Sequence, residues 1–140
     1  MGLQVSHDAY RGSYTGFGAI RVHAAELAGW EVTKKKKQFG MLDGEWEYPD
    51  DQPAIQEHNL LGLWLHTPAD PLTVLMAHLD TDGYIYFEQQ IPLAERLEEL
   101  AEKPGAAQRK VGDESVRICL RRFAQGLRLA HDNGMPLEFS

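Results

Sequence analysis

The sequence predicts a helix-rich α+β fold, one domain over residues 1–140 with a small sheet. Three observations predict it. Apolar residues recur at helical spacing in three separate stretches, near residues 17–28, 92–103 and 113–133. Short β-prone runs lie between and after them, at Leu61–His66, Tyr84–Phe87 and Leu137–Phe139. Capping and breaking residues (Ser13, Gly29, Asp70-Pro71, Pro104-Gly105, Gly134) mark the joints between these stretches. Two arrangements satisfy this pattern: a small sheet with helices on one side, or a compact domain without layers.

Ser13-Tyr14-Thr15-Gly16 supplies turn and capping residues ahead of Phe17. Phe17, Ile20, Ala24, Leu27 and Ala28 then form one apolar stripe, and Gly29 ends it. Four lysines follow at 34–37, then an aromatic and acidic stretch from Phe39 to Asp51 that reads as a short hairpin or irregular loop. Leu61–His66 reads as a buried strand. Asp70-Pro71 has the form of an N-cap followed by proline at the first helical position, which predicts a short helix to about His78. A turn at Asp80–Gly83 leads to a strand at Tyr84–Phe87. Pro92 opens a helix with Leu93, Leu97 and Leu100 on one side, stopped by Lys103-Pro104-Gly105. Asp113 caps the last helix, which runs to about Asn133, and Leu137–Phe139 closes as a terminal strand.

Composition narrows the function. Fourteen basic against 21 acidic side chains leave a net charge of −7, which argues against duplex nucleic acid as a main partner. The lone Cys119 excludes an internal disulfide and suits a cytoplasmic setting. The first ten residues carry no secretory signal pattern, and no apolar run approaches a membrane span.

The sharpest motif is His78-Leu79-Asp80-Thr81-Asp82-Gly83. It places an imidazole and two carboxylates at alternate positions before a glycine free to take positive φ. As metal ligands, His78, Asp80 and Asp82 suit a divalent ion such as zinc, manganese or iron. The run also suits direct contact with a polar ligand, or an Asp-Gly turn in which Asp80 caps backbone amides. Near the start, Ser6-His7-Asp8 with Tyr10, Ser13 and Tyr14 gathers hydrogen-bonding groups, and His7, Asp8 and Tyr14 are candidates to join the central run across the fold.

On the last helix, Val116, Cys119, Leu120, Phe123, Leu127 and Ala130 share one apolar face at about 100° per residue. Arg117, Arg121 and Arg128 fall within about 40° of one another beside it. A tight arginine stripe suits a phosphate or carboxylate; equally, its members can pair with Glu95, Glu98 and Glu99 on a solvated face. Ile118 and Leu129 form a second apolar patch, which points to a partner surface or a homo-oligomer.

The blocks Ser6-His7-Asp8-Ala9-Tyr10 with Gly12-Ser13-Tyr14 and Phe17, then His78-x-Asp80-x-Asp82-Gly83, then Phe123, Gly126, Leu127 and Leu137-Glu138-Phe139, resemble a family of small uncharacterised proteins encoded in actinobacterial and phage genomes. The chain departs from that pattern at Leu79 and Thr81, where serine and cysteine are more usual. The resemblance implies a phage or bacterial origin and a site built from these blocks, but no chemistry.

Together these readings favour a protein that binds a phosphorylated small molecule. One such role is sequestering a nucleotide-derived, cyclic ADP-ribose-like immune signal, with His7, Asp8, Tyr14, His78, Asp80, Asp82, Arg117, Arg121 and Arg128 as ligand contacts. Two alternatives stay open: a metal-dependent phosphodiester hydrolase using His78, Asp80 and Asp82, and an inhibitor or adaptor that binds a host defence protein through the Trp46 and Tyr48 segment.

Overall fold

Residues 2–32, 64–65, 69–78 and 82–140 are described by a computed structural model. The chain opens with a hairpin, β1 (Leu3–Val5) and β2 (Tyr10–Gly12), that leads into helix α1 (Tyr14–Leu27). A two-stranded ribbon pairs β3 (Glu31–Val32) with β4 (Trp64–Leu65). Then come α2 (Leu72–Met76), β5 (Gly83–Ile85), α3 (Phe87–Ala101), the one-turn α4 (Pro104–Gln108), a small hairpin β6 (Lys110–Val111) and β7 (Glu114–Ser115), α5 (Val116–Asp132) and β8 (Leu137–Phe139). The fold is α+β, as the sequence predicts. Its main sheet is antiparallel with order β2-β1-β8-β5, so the two ends of the chain pair at the centre. Val5 faces Phe139, and Phe139 in turn faces Gly83.

The arrangement with helices on one side of the sheet is the one observed. Leu3, Val5, Ile85, Leu137 and Phe139 point into a core shared with the apolar faces of α1, α3 and α5, while Gln4, Arg11, Tyr84 and Glu138 point out. All six residues of the apolar face expected on α5 are buried. At the heart of the core Phe17 meets Tyr10, Phe123 and Phe139, with ring centroids 5.2–6.0 Å apart, spacings at which tilted aromatic pairs are favourable. Among the described residues no helix is long and apolar enough to cross a membrane.

Several boundaries differ from the sequence reading, each for a local reason. Helix α3 begins at Phe87, not Pro92, because the Gln89 side chain accepts from the Tyr86 N–H at 3.2 Å while the Gln89 N–H donates to the Tyr86 carbonyl at 2.9 Å. Pro92 therefore sits inside the helix, one turn in, on an exposed position. The preceding strand ends at Ile85 for the same reason. Lys103-Pro104-Gly105 does stop α3, but Pro104 at once starts α4, where its missing N–H costs nothing. Ser115, not Asp113, caps α5 by accepting from the Ile118 N–H at 3.3 Å. Asp113 instead follows Gly112 (φ 61°) in the turn of the β6–β7 hairpin. Asp70 serves α2 as anticipated: its Oδ1 accepts from the Leu72 N–H at 2.9 Å. Of the run expected as a strand at 61–66, residues 64–65 are one; the rest, like the lysine run and the Phe39–Asp51 segment, lies outside the described residues.

Candidate functional site

The N-terminal block forms a tight structural joint. His7 and Asp8 occupy the two central positions of the β1–β2 turn with φ of 59° and 57°. The Ala9 N–H closes it on the Ser6 carbonyl at 3.2 Å. Two positive φ angles in a two-residue hairpin are the type I′ geometry that matches strand twist, and His and Asp are among the side chains that tolerate it. Ser6 Oγ lies 2.8 Å from His7 Nδ1 and also accepts from the Glu138 N–H at 2.9 Å. Ala9 presses into α5 at Gly126, where a Cβ would come within 2.6 Å of the Ala9 methyl. Tyr10 donates to the Ser13 carbonyl at 2.6 Å, its hydroxyl lying where a side chain on Gly12 or Gly16 would intrude. Ser13 caps α1 by accepting from Gly16 N–H at 2.9 Å, and Tyr14 is half-buried against the core.

The central run is divided. Asp80 lies outside the described residues, and Asp82 is exposed. The His78 ring stacks on Phe139 (centroids 4.0 Å apart) over the bare α-carbon of Gly83, with Nε2 3.2 Å from the Tyr84 carbonyl. A Cβ on Gly83 would stand 3.2 Å from His78 Cε1, and its φ of 113° also favours glycine. Buried Arg21 fixes this segment from behind: Nη1 donates to the carbonyls of His78 (2.6 Å) and Leu75 (3.2 Å), while its guanidinium lies 5.0 Å over Phe17. A cation at the carbonyl end of α2 is favourable there. Among the described residues no three His, Cys, Asp or Glu side chains are grouped to hold a metal.

The three stripe arginines turn toward α3. Arg117 donates to the carbonyls of Ala101 (2.6 Å) and Lys103 (3.2 Å), capping the end of α3. Arg121 pairs with Glu102 at 2.5 Å. Arg128 grips Glu98 with two bonds of 2.7 Å, which hold that carboxyl below its usual value. Their fork geometry is used within the chain.

A cavity of about 610 Å³ opens instead on the other side of α5, between the start of α1, β2 and the β6–β7 hairpin. Arg11 and Lys110 stand exposed at its walls, and among the described residues neither has an acidic partner. Arg122 joins them, shared with Glu114. Ser13, Thr15 and the first turn of α1 add hydroxyls and N–H groups. The cavity thus carries three cations against one carboxylate in a chain of net charge −7.

His23 and Cys119 also line it. Burial, then the charge of Arg109, lowers the His23 pKa, and Nδ1 lies 3.0 Å from Arg109 Nη1, so the ring is neutral with its proton on Nε2. Burial pushes the Cys119 thiol up, which keeps it protonated and a weak nucleophile.

His7 lines neither this cavity nor the smaller groove beside His78, so those two imidazoles share neither space. Arg11, Lys110, Arg122 and His23 escaped sequence reasoning. The available signal was the Gly112-Asp113 turn pair alone, since the flanking Lys110-Val111 and Glu114-Ser115 contain only one β-prone residue; the hairpin it makes brings Lys110 to the cavity wall. Comparison with protein-family models, curated proteins and solved structures finds no match to this chain.

Proposed function

We propose that this protein binds a phosphorylated small molecule in the cavity at the start of α1 and holds it without converting it. The carrying observation is the convergence there of Arg11 and Lys110, two cations free of acidic partners among the described residues, beside the amide end of a 14-residue helix. Guanidinium, ammonium and helix N–H groups all favour phosphate oxygens. A volume of about 610 Å³ lies in the range of small-molecule sites and admits a nucleotide-sized ligand. A protonated Cys119 and a neutral His23 line the walls as recognition groups. Nucleotide-derived signals, the cyclic ADP-ribose-like class included, are the ligands this chemistry suits, and sequestration is the corresponding role.

The test is calorimetric titration of the full chain with pyrophosphate, ADP and ADP-ribose. Saturable binding that weakens with salt is expected. Loss of one charge-assisted contact costs about 1.5–3 kcal/mol, so Arg11→Glu with Lys110→Glu should weaken binding at least about tenfold. Ligand recovered after denaturation should have unchanged mass. Absence of saturable binding, or binding indifferent to the double substitution, would overturn the site. Recovery of a cleaved product would replace sequestration with hydrolysis.

A further inference from the structure

Among the described residues the sheet has helices on one face only, and its other face carries Arg11 at the β2 edge and a different chemistry at the β5 edge. Tyr84 and Tyr86 lie at alternate positions of an extended run, so they share a side; Asp82 is exposed at the bend just before it. Tyr84 is 44% and Tyr86 54% exposed, with ring centroids 6.0 Å apart. Glu138 stands directly opposite Tyr84 in the β5–β8 register and points the same way. Among the described residues neither Asp82 nor Glu138 has a cationic partner. Beside the tyrosines a groove of about 390 Å³ is lined by Val74, Ala77, His78 and Gln89.

From these features we infer that this face docks a segment of a partner protein carrying arginine or lysine side chains. Two adjacent phenol faces attract a cation, and the carboxylate of Glu138 opposite them accepts its N–H groups. Val74 and Ala77 in the groove suit the methylene stem of such a side chain. Strand addition is not the mode: β5 has three residues, and His78 already occupies the outward carbonyl of Tyr84. A second copy is disfavoured, since two chains of net charge −7 repel. The inference does not depend on the phosphate cavity, whose cations Arg11, Lys110 and Arg122 are separate residues.

The experiment titrates the full chain with a labelled peptide of alternating arginine and glycine, and with its glutamate counterpart, by anisotropy and amide NMR. The basic peptide should bind saturably and shift Tyr84, Tyr86 and Glu138; the acidic one should not. Tyr84→Ala and Tyr86→Ser should each weaken binding about fivefold, and Tyr86→Phe, which keeps the ring face, should restore it. Glu138→Gln should weaken binding and flatten its salt dependence, while Glu95→Gln on α3 leaves it unchanged. Equal binding of the acidic peptide, shifts elsewhere, or equal effects of Glu138→Gln and Glu95→Gln would overturn the inference. So would concentration-dependent self-association abolished by Tyr84→Ala. Because Glu138→Gln and Tyr86→Phe are conservative surface changes, they decide the matter even if Tyr84→Ala unfolds.

Discussion

Gly126→Ala sets two known effects against each other and lets the structure decide the sign. In a helix interior, alanine is favoured over glycine by about 1 kcal/mol. Here the added methyl would stand 2.6 Å from the Ala9 Cβ, 2.8 Å from its Cα and 3.1 Å from its N. Carbon atoms prefer about 3.5–4.0 Å, so the hairpin must retreat by about 1 Å. Two of the three contacts are backbone atoms in a turn with two positive φ angles, which cannot yield by changing a rotamer. Overpacking of this kind costs about 1–3 kcal/mol, and the rigid neighbour places this case near the upper end. The net expectation is a loss of about 2 kcal/mol. With a urea slope of about 2 kcal/mol per M, the unfolding midpoint falls by about 1 M. Ala9→Gly alone should cost about 1 kcal/mol for its buried methyl. In the double variant the 2.6 Å contact is gone, so the two losses should be less than additive. A midpoint that rises with Gly126→Ala would show helix propensity alone in control and refute the docking of the hairpin on α5.

Two further outcomes follow from the geometry. Replacing His7-Asp8 by Asn-Gly, the pair best suited to a type I′ turn, should raise the unfolding midpoint and leave ADP-ribose titrations unchanged; a loss of binding would return His7 and Asp8 to the ligand site. Burial raises the pKa of Asp70, but hydrogen bonds from Arg96, the Leu72 N–H and Trp30, together with the charge of Arg96, outweigh it and hold the carboxyl below its usual value. Its contribution to stability is therefore complete above the unfolded value of about 3.9 and is lost as pH falls through the lower folded value. Asp70→Asn should cost about 2 kcal/mol at pH 7 and shrink the loss of stability as pH falls below about 4; an unchanged acid limb in chemical denaturation would refute the assignment.

The helices were legible because burial imposes a period. The stripe from Phe17 to Leu27 and the α5 face from Val116 to Ala130 are regular enough to read directly, and the structure buries nearly all of both. The hairpins were not legible because each strand is two or three residues long, too short for alternation to stand above chance. Arg21 was missed for a related reason. It lies on the same face as Phe17, one turn on, where a charged residue reads as an interruption; only the fold reveals the carbonyl end of α2 waiting beside it.

The candidate site shows why side-chain clusters in sequence and in space need not coincide. Polar residues adjacent in sequence, such as Ser6-His7-Asp8, are cheaply satisfied by their own turn, and a hairpin makes good use of them. Arginines repeated along one helix meet the glutamates repeated along its neighbour, because both follow the same period; α3 and α5 pair in this way through Glu98 with Arg128 and Glu102 with Arg121. A cation left without such a neighbour must sit where the period breaks. Arg11 and Lys110 do so, on strands of two separate short hairpins that border the start of α1. They lie 99 positions apart, so no local pattern could join them. In a chain with an excess of seven acidic groups, two cations without a carboxylate partner among the described residues stand beside one cavity. The proposed anionic ligand would make use of that charge.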